Sequence, residues 1–205
     1  MDRNNREQIL HIDRSKGFSL TDTLNSSRYP FFGSFADNFV LKEQNSRSKT
    51  LSEIDISQIE IKVVFDENRD GKTLAKEECN ELLKKNLIEL ENEGYYHLDA
   101  SVAQALLSQQ ELIPKEWEDI TNADEPAPYI SGEIGYYGTT FVLKDDPTDE
   151  YVLAPFFNRG RWTVEGHKTK YFNREQLANM VGDPRVNCNL LTYAAVYKPG
   201  ATMAV

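Results

Sequence analysis

The stretch Ile59-Glu60-Ile61-Lys62-Val63-Val64-Phe65, with the loop Asp66-Glu67-Asn68-Arg69-Asp70-Gly71 and the segment Ala75 to Leu90 behind it, decides how this chain reads. Ile59, Ile61, Val63 and Phe65 recur at every second position, which predicts a half-buried strand. The polar loop breaks that period. Beyond it Ala75, Cys79, Leu82, Leu83, Leu87 and Leu90 fall three or four residues apart, one face of a helix that ends near Gly94. A strand passing into a helix makes this a mixed α and β protein.

Downstream of Gly94 the helical reading continues. Asp99 is placed to cap a helix carrying Val102, Ala105, Leu106 and Ile113, and Pro114-Lys115-Glu116-Trp117 reads as the first turn of another. Asp119 to Pro128, acidic and holding Pro126 and Pro128, is the best linker. After it Thr139–Leu143, Tyr151–Phe157 and Arg161–Val164 read as strands separated by turn residues. A short helix at 173–180 and a last apolar run, Leu190 to Val196, complete the pattern. Upstream, Tyr29 to Phe39 is dense in aromatic residues, and Gln44 to Lys49 reads as an exposed loop.

Charge is unevenly placed. Residues 1–50 hold 8 basic and 6 acidic groups, 51–128 hold 7 and 19, and 129–205 hold 8 and 8, so the net charge of −10 comes from the middle block. Such a field repels phosphates and suits a basic protein partner or a cation. The same composition also describes an ordinary solvated helical surface rich in Glu and Lys. With 40% apolar and 27% charged residues the chain can bury a core. It has no apolar run near the ~18 residues of a membrane span. Met1 to Glu7 lacks the apolar run of a secretory signal, and Cys79 and Cys188 are too few for a disulfide framework, so the expected location is cytoplasmic.

The segment Asp66 to Glu77 satisfies D-x-[DN]-x-[DN]-G-x5-E. Calcium wants six to eight oxygens, and a loop turned by Gly71 can aim Asp66, Asn68 and Asp70 at one centre, with the Lys72 carbonyl and Glu77 closing the shell. These twelve residues resemble an EF-hand loop, which implies calcium as a cofactor. Against the full motif, a strand enters the loop, Thr73 replaces the usual aliphatic residue, and Arg69, Lys72 and Lys76 add positive charge. A polar turn capped by Asp, Asn or Thr73 is the alternative.

His97 to Leu107, Glu111 to Trp117, Gly138 to Leu143 and Tyr151 to Trp162 resemble a small domain of uncharacterised bacterial proteins over roughly residues 95–175. That resemblance implies helices before a β-meander and brings no activity. Ala154-Pro155 departs from it and predicts an edge strand or bulge. From Phe156 to Phe172 aromatic residues alternate with basic ones. Such a hairpin can bind a protein partner through Phe156, Phe157, Arg159, Arg161 and Trp162, bind nucleic acid, or be one ordinary sheet face. Gly132 to Gly138 lacks the dinucleotide fingerprint and reads as a loop or the start of a strand.

The fold class these observations predict is α+β: an acidic helical middle segment followed by a C-terminal antiparallel β-meander. Two lobes are expected, 1–118 and 129–205, with one continuous domain as the alternative. The leading functional expectation is a non-catalytic protein–protein interaction protein, such as an inhibitor, an immunity-type, phage or accessory assembly factor. A calcium-binding regulatory or structural module through 66–77 is the second. The third is an enzyme whose site is assembled from dispersed residues such as His11, Asp13, His97, Asp99, His167 or Cys188.

Overall fold

The computed structural model describes residues 8–15, 39–44, 47–66, 76–121, 133–158, 160–168 and 191–199. In chain order the strands are β1 (Ile9–His11), β2 (Phe39–Glu43), β3 (Glu53–Asp55), β4 (Ile59–Asp66), β5 (Tyr96–His97), β6 (Glu133–Gly135), β7 (Thr140–Leu143), β8 (Glu150–Asn158), β9 (Arg161–Lys168) and β10 (Leu191–Tyr197). The helices are α1 (Lys76–Asn92), α2 (Ala100–Ser108) and α3 (Glu116–Thr121).

Three sheets result. β1 and β3 form an antiparallel pair, β2-β7-β8-β9 form an antiparallel sheet in that order, and β10 lies at the centre of the third. On one side β10 pairs antiparallel with β4. On the other it pairs with β5 and, in parallel, with β6. Segments 1–118 and 129–205 therefore share this sheet. They also share its larger core, where Leu10, Ile54, Leu98, Val102 and Leu106 meet Ile134, Tyr136, Leu153, Trp162 and Val164.

This architecture corrects the expected fold class. The acidic middle is not a helical segment: it supplies β3, β4 and β5 as well as helices, and the described chain is β-rich, with ten strands against three α-helices. The acidic side chains misled because they are shared between strands (Glu53, Asp55, Glu60, Asp66) and helices (Glu78, Glu81, Glu89, Glu91), so net charge carries no information on which element a segment forms. The meander holds in part. β7, β8 and β9 are consecutive and antiparallel, but β10 leaves them to join β4 and β5.

The strand at Ile59–Asp66 forms where its alternation predicts, with one change of phase. Val63 is 49% exposed, whereas Val64 and Phe65 are both buried. Opposite them the register skips a residue between Thr192 and Tyr193, so a bulge turns the strand and brings two successive side chains under α1. There they meet Cys79 and Leu83, and Asn86 Nδ2 donates to the Val64 carbonyl at 2.8 Å. α1 ends as predicted. Gly94 adopts φ +89°, and the Gly94 and Tyr95 N–H groups donate back to the carbonyls of Glu91 and Leu90.

Pro155 lies in β8 beyond the reach of β7, which pairs only with Glu150 and Tyr151. A residue without an N–H is tolerated there because, among the described residues, β9 alone pairs with it in the sheet.

Candidate functional site

His97 and Asp99 lie two residues apart but have different surroundings. Asp99 is fully buried and caps α2, accepting from the N–H groups of Ser101 (3.0 Å) and Val102 (3.1 Å). Arg14 Nη1 donates to both of its carboxylate oxygens, at 3.1 and 2.9 Å, and the Ser48 hydroxyl donates at 3.1 Å. Arg14 also donates to the carbonyls of Ser48 and Leu51. A buried carboxylate surrounded by four donor groups is a structural tie. It joins the chain after β1, the short 3-10 turn at Arg47–Thr50 and the start of α2.

His97 faces the other way, into a cleft of about 290 Å³ between α1 and the β2-β7-β8 sheet. α1 supplies Asn80, Leu83, Lys84, Leu87, Ile88 and Glu91. The opposing strands supply Glu43, Thr140 and Glu150, and Tyr137 and Gly138 also line it. The imidazole is 7% exposed, and its Nε2 lies 2.9 Å from the Leu87 carbonyl. A carbonyl only accepts, so this contact selects the tautomer with its proton on Nε2. Glu91 Oε1 is 3.8 Å from the same nitrogen.

Burial is the main influence on His97 and holds its pKa below the ordinary value; the Leu87 carbonyl and Glu91 pull the other way. The sign of the consequence follows. As pH falls through about 6.5 the unfolded chain takes up a proton that the folded chain refuses, so stability is full above that pH and declines below it. Urea unfolding of wild type and His97→Gln between pH 7.5 and 5 should show the wild type losing stability relative to the variant. A constant difference would mean that the folded imidazole titrates as though exposed.

The sequence-derived sites have different fates. Asp66 ends β4, whereas Asn68, Asp70 and Lys72 lie outside the described residues; Glu77 stands in the first turn of α1, and its side chain is not among those described. Among the described residues no group of three or more His, Cys, Asp or Glu is placed to hold a metal ion. On the hairpin, Phe156 and Phe157 are half-buried, Arg161 is exposed, Arg159 lies outside the described residues, and Trp162 is buried. Trp162 stacks edge-on to Phe157 at 5.7 Å and lines a small internal gap with Leu106, Ile113, Trp117, Tyr136 and Pro155. Gln110 clamps its backbone, accepting from the Trp162 N–H at 3.3 Å and donating to its carbonyl at 3.4 Å.

His11 is exposed, with Glu53 at 3.2 Å. The His167 side chain and Cys188 lie outside the described residues, as does the expected helix at 173–180. Sequence reading took His97 together with Asp99 and missed the cleft. A signal was present in α1, where Asn80, Lys84, Ile88 and Glu91 repeat at three- and four-residue spacing beside the apolar face.

No helix of the described chain is long and apolar enough to cross a membrane. Compared with protein-family models, with curated proteins and with solved structures, the chain matches none.

Proposed function

We propose that this is a non-catalytic interaction protein that takes an extended segment of a partner protein as an added strand on β2. The observation that carries this reading is the edge itself. Among the described residues β2 pairs only with β7, and it presents Val40 and Leu41 at 38% and 55% exposure. Edge strands are ordinarily blunted by charge or proline, because a row of open N–H and C=O groups invites another strand. Here the strand's lysine, Lys42, is engaged in an ion pair with Glu150 of β8, which leaves the apolar pair to face a visitor. Main-chain hydrogen bonds would supply affinity and alternate side chains specificity.

Leu41→Lys is the test. Because Leu41 is exposed, folding stability should change by no more than about 0.5 kcal/mol. Retention of a partner from the producing cells should drop ~10-fold, which corresponds to about 1.4 kcal/mol of binding. Backbone amides of residues 39–43 should exchange more slowly in the complex. Partner retention that ignores the substitution, or protection confined to another element, would overturn the proposal.

A further inference from the structure

We infer that two copies of this chain associate through β4, antiparallel and edge to edge, about a two-fold axis at Ile61. Among the described residues β4 pairs with β10 alone, so its other side is an open edge. The ladder fixes which backbone groups lie on that side. In an antiparallel pair a residue turns its N–H and C=O to one side, and its neighbours turn theirs to the other. The Ala195 carbonyl accepts from the Leu98 N–H at 3.1 Å, on the β5 side. Ala194 and Val196 therefore turn to β4 and bond their register partners Lys62 and Glu60. Ile59, Ile61 and Val63 are left to turn outward. The Ile59 N–H is taken by the Ile56 carbonyl, so this residue offers its C=O alone. The three side chains share one face of the sheet, where Ile61 is half-buried and Val63 is 49% exposed.

The strand's charges select the occupant. A lysine in an edge strand ordinarily keeps other strands away. In β4, Lys62 has Glu60 two residues before it on the same face, and the two form an ion pair with side chains 34% and 43% exposed. Pairing through the outward groups sets odd-numbered residues against odd-numbered ones. With Ile61 opposite Ile61, Glu60 of each copy stands opposite Lys62 of the other, and Val63 gains Ile59 of the second copy as its cross-strand neighbour. Moving the axis to Glu60 or to Lys62 instead sets like charges directly opposite one another, which is destabilising. One register is thus favoured and its neighbours are penalised. A strand that complements itself in this way is what a two-fold interface requires, and an arbitrary visiting strand lacks the matching pair of charges.

Sedimentation equilibrium of the full chain at about 1 to 200 μM, a range that resolves micromolar association, should show a monomer–dimer equilibrium. Hydrogen exchange at the Ile61 and Val63 amides should slow as the dimer fills. Glu60→Lys and Lys62→Glu, each alone, turn both cross-strand pairs repulsive and should weaken the dimer ~10-fold, the scale of two such pairs together. An equimolar mixture of the two variants restores opposite charges at both positions, so it should dimerise as the wild type does, a rescue that a folding defect could not produce. Val63→Lys should also weaken the dimer ~10-fold, by placing a charge among the apolar cross-strand pairs. Leu41→Lys should leave it intact, so this inference and the β2 edge fail separately. A chain that stays monomeric throughout, a dimer indifferent to Val63→Lys, or charge variants that do not rescue each other on mixing would overturn the interface.

Discussion

Arg14→Ala should destabilise the folded chain by about 3–5 kcal/mol, the cost of leaving a buried charge without its partner. Asp99 is fully buried, and its carboxylate accepts from Arg14, Ser48 and two backbone N–H groups. Removing the guanidinium withdraws the only cation in that set and frees the carbonyls of Ser48 and Leu51 from their donor. Three segments then lose a common tie. Equilibrium urea unfolding reads the loss. Arg14→Lys should recover part of it, since an ammonium supplies the charge without the planar set of donors. A cost below about 1 kcal/mol for Arg14→Ala would place the pair in the class of exposed salt bridges and refute the structural role given to it.

The second large effect is expected at Trp162→Ala, which should cost about 3–5 kcal/mol because it empties a large buried ring from the core. The ring touches Phe157 and shares a gap with Leu106, Trp117 and Tyr136, so its removal opens a space that α2, α3 and β6 cannot all collapse to fill. Arg161→Ala, one residue earlier on the exposed side, should stay within about 0.5 kcal/mol of wild type. The contrast between neighbours separates a core ring from a surface anchor. If the two substitutions cost alike, the ring is not holding the sheet to the helices.

Each expectation involves a residue that the sequence brought forward, Asp99 or Trp162, together with pairings that it did not. Trp162 stood out as one ring of an aromatic and basic ribbon, and its composition could not say which face of the hairpin the ring would take. Gln110 and Leu106, which hold it, are more than fifty residues earlier in the chain. Asp99 was legible as a helix cap because a cap bonds to its own next few residues. Its ion pair was not legible, since Arg14 lies 85 residues away.

What the sequence settled by itself was local. The strand that begins at Ile59, the helix that Gly94 terminates, the cap at Asp99 and strands within 139–143, 151–157 and 161–164 follow from periodicity and turn chemistry within a few residues, whereas the extension of β9 to Lys168 and the strand state of the apolar run at 190–196 did not. The tertiary structure alone decided that β10 lies between β4 and β5, that a bulge turns Val63 outward, and that β2 is an edge among the described residues. It also decided that Glu43, Glu91, His97 and Glu150 border one cleft. Side-chain spacing along a strand or helix fixes which residues share a face, but the choice of what that face meets depends on long-range pairing, which leaves no mark on the nearest neighbours.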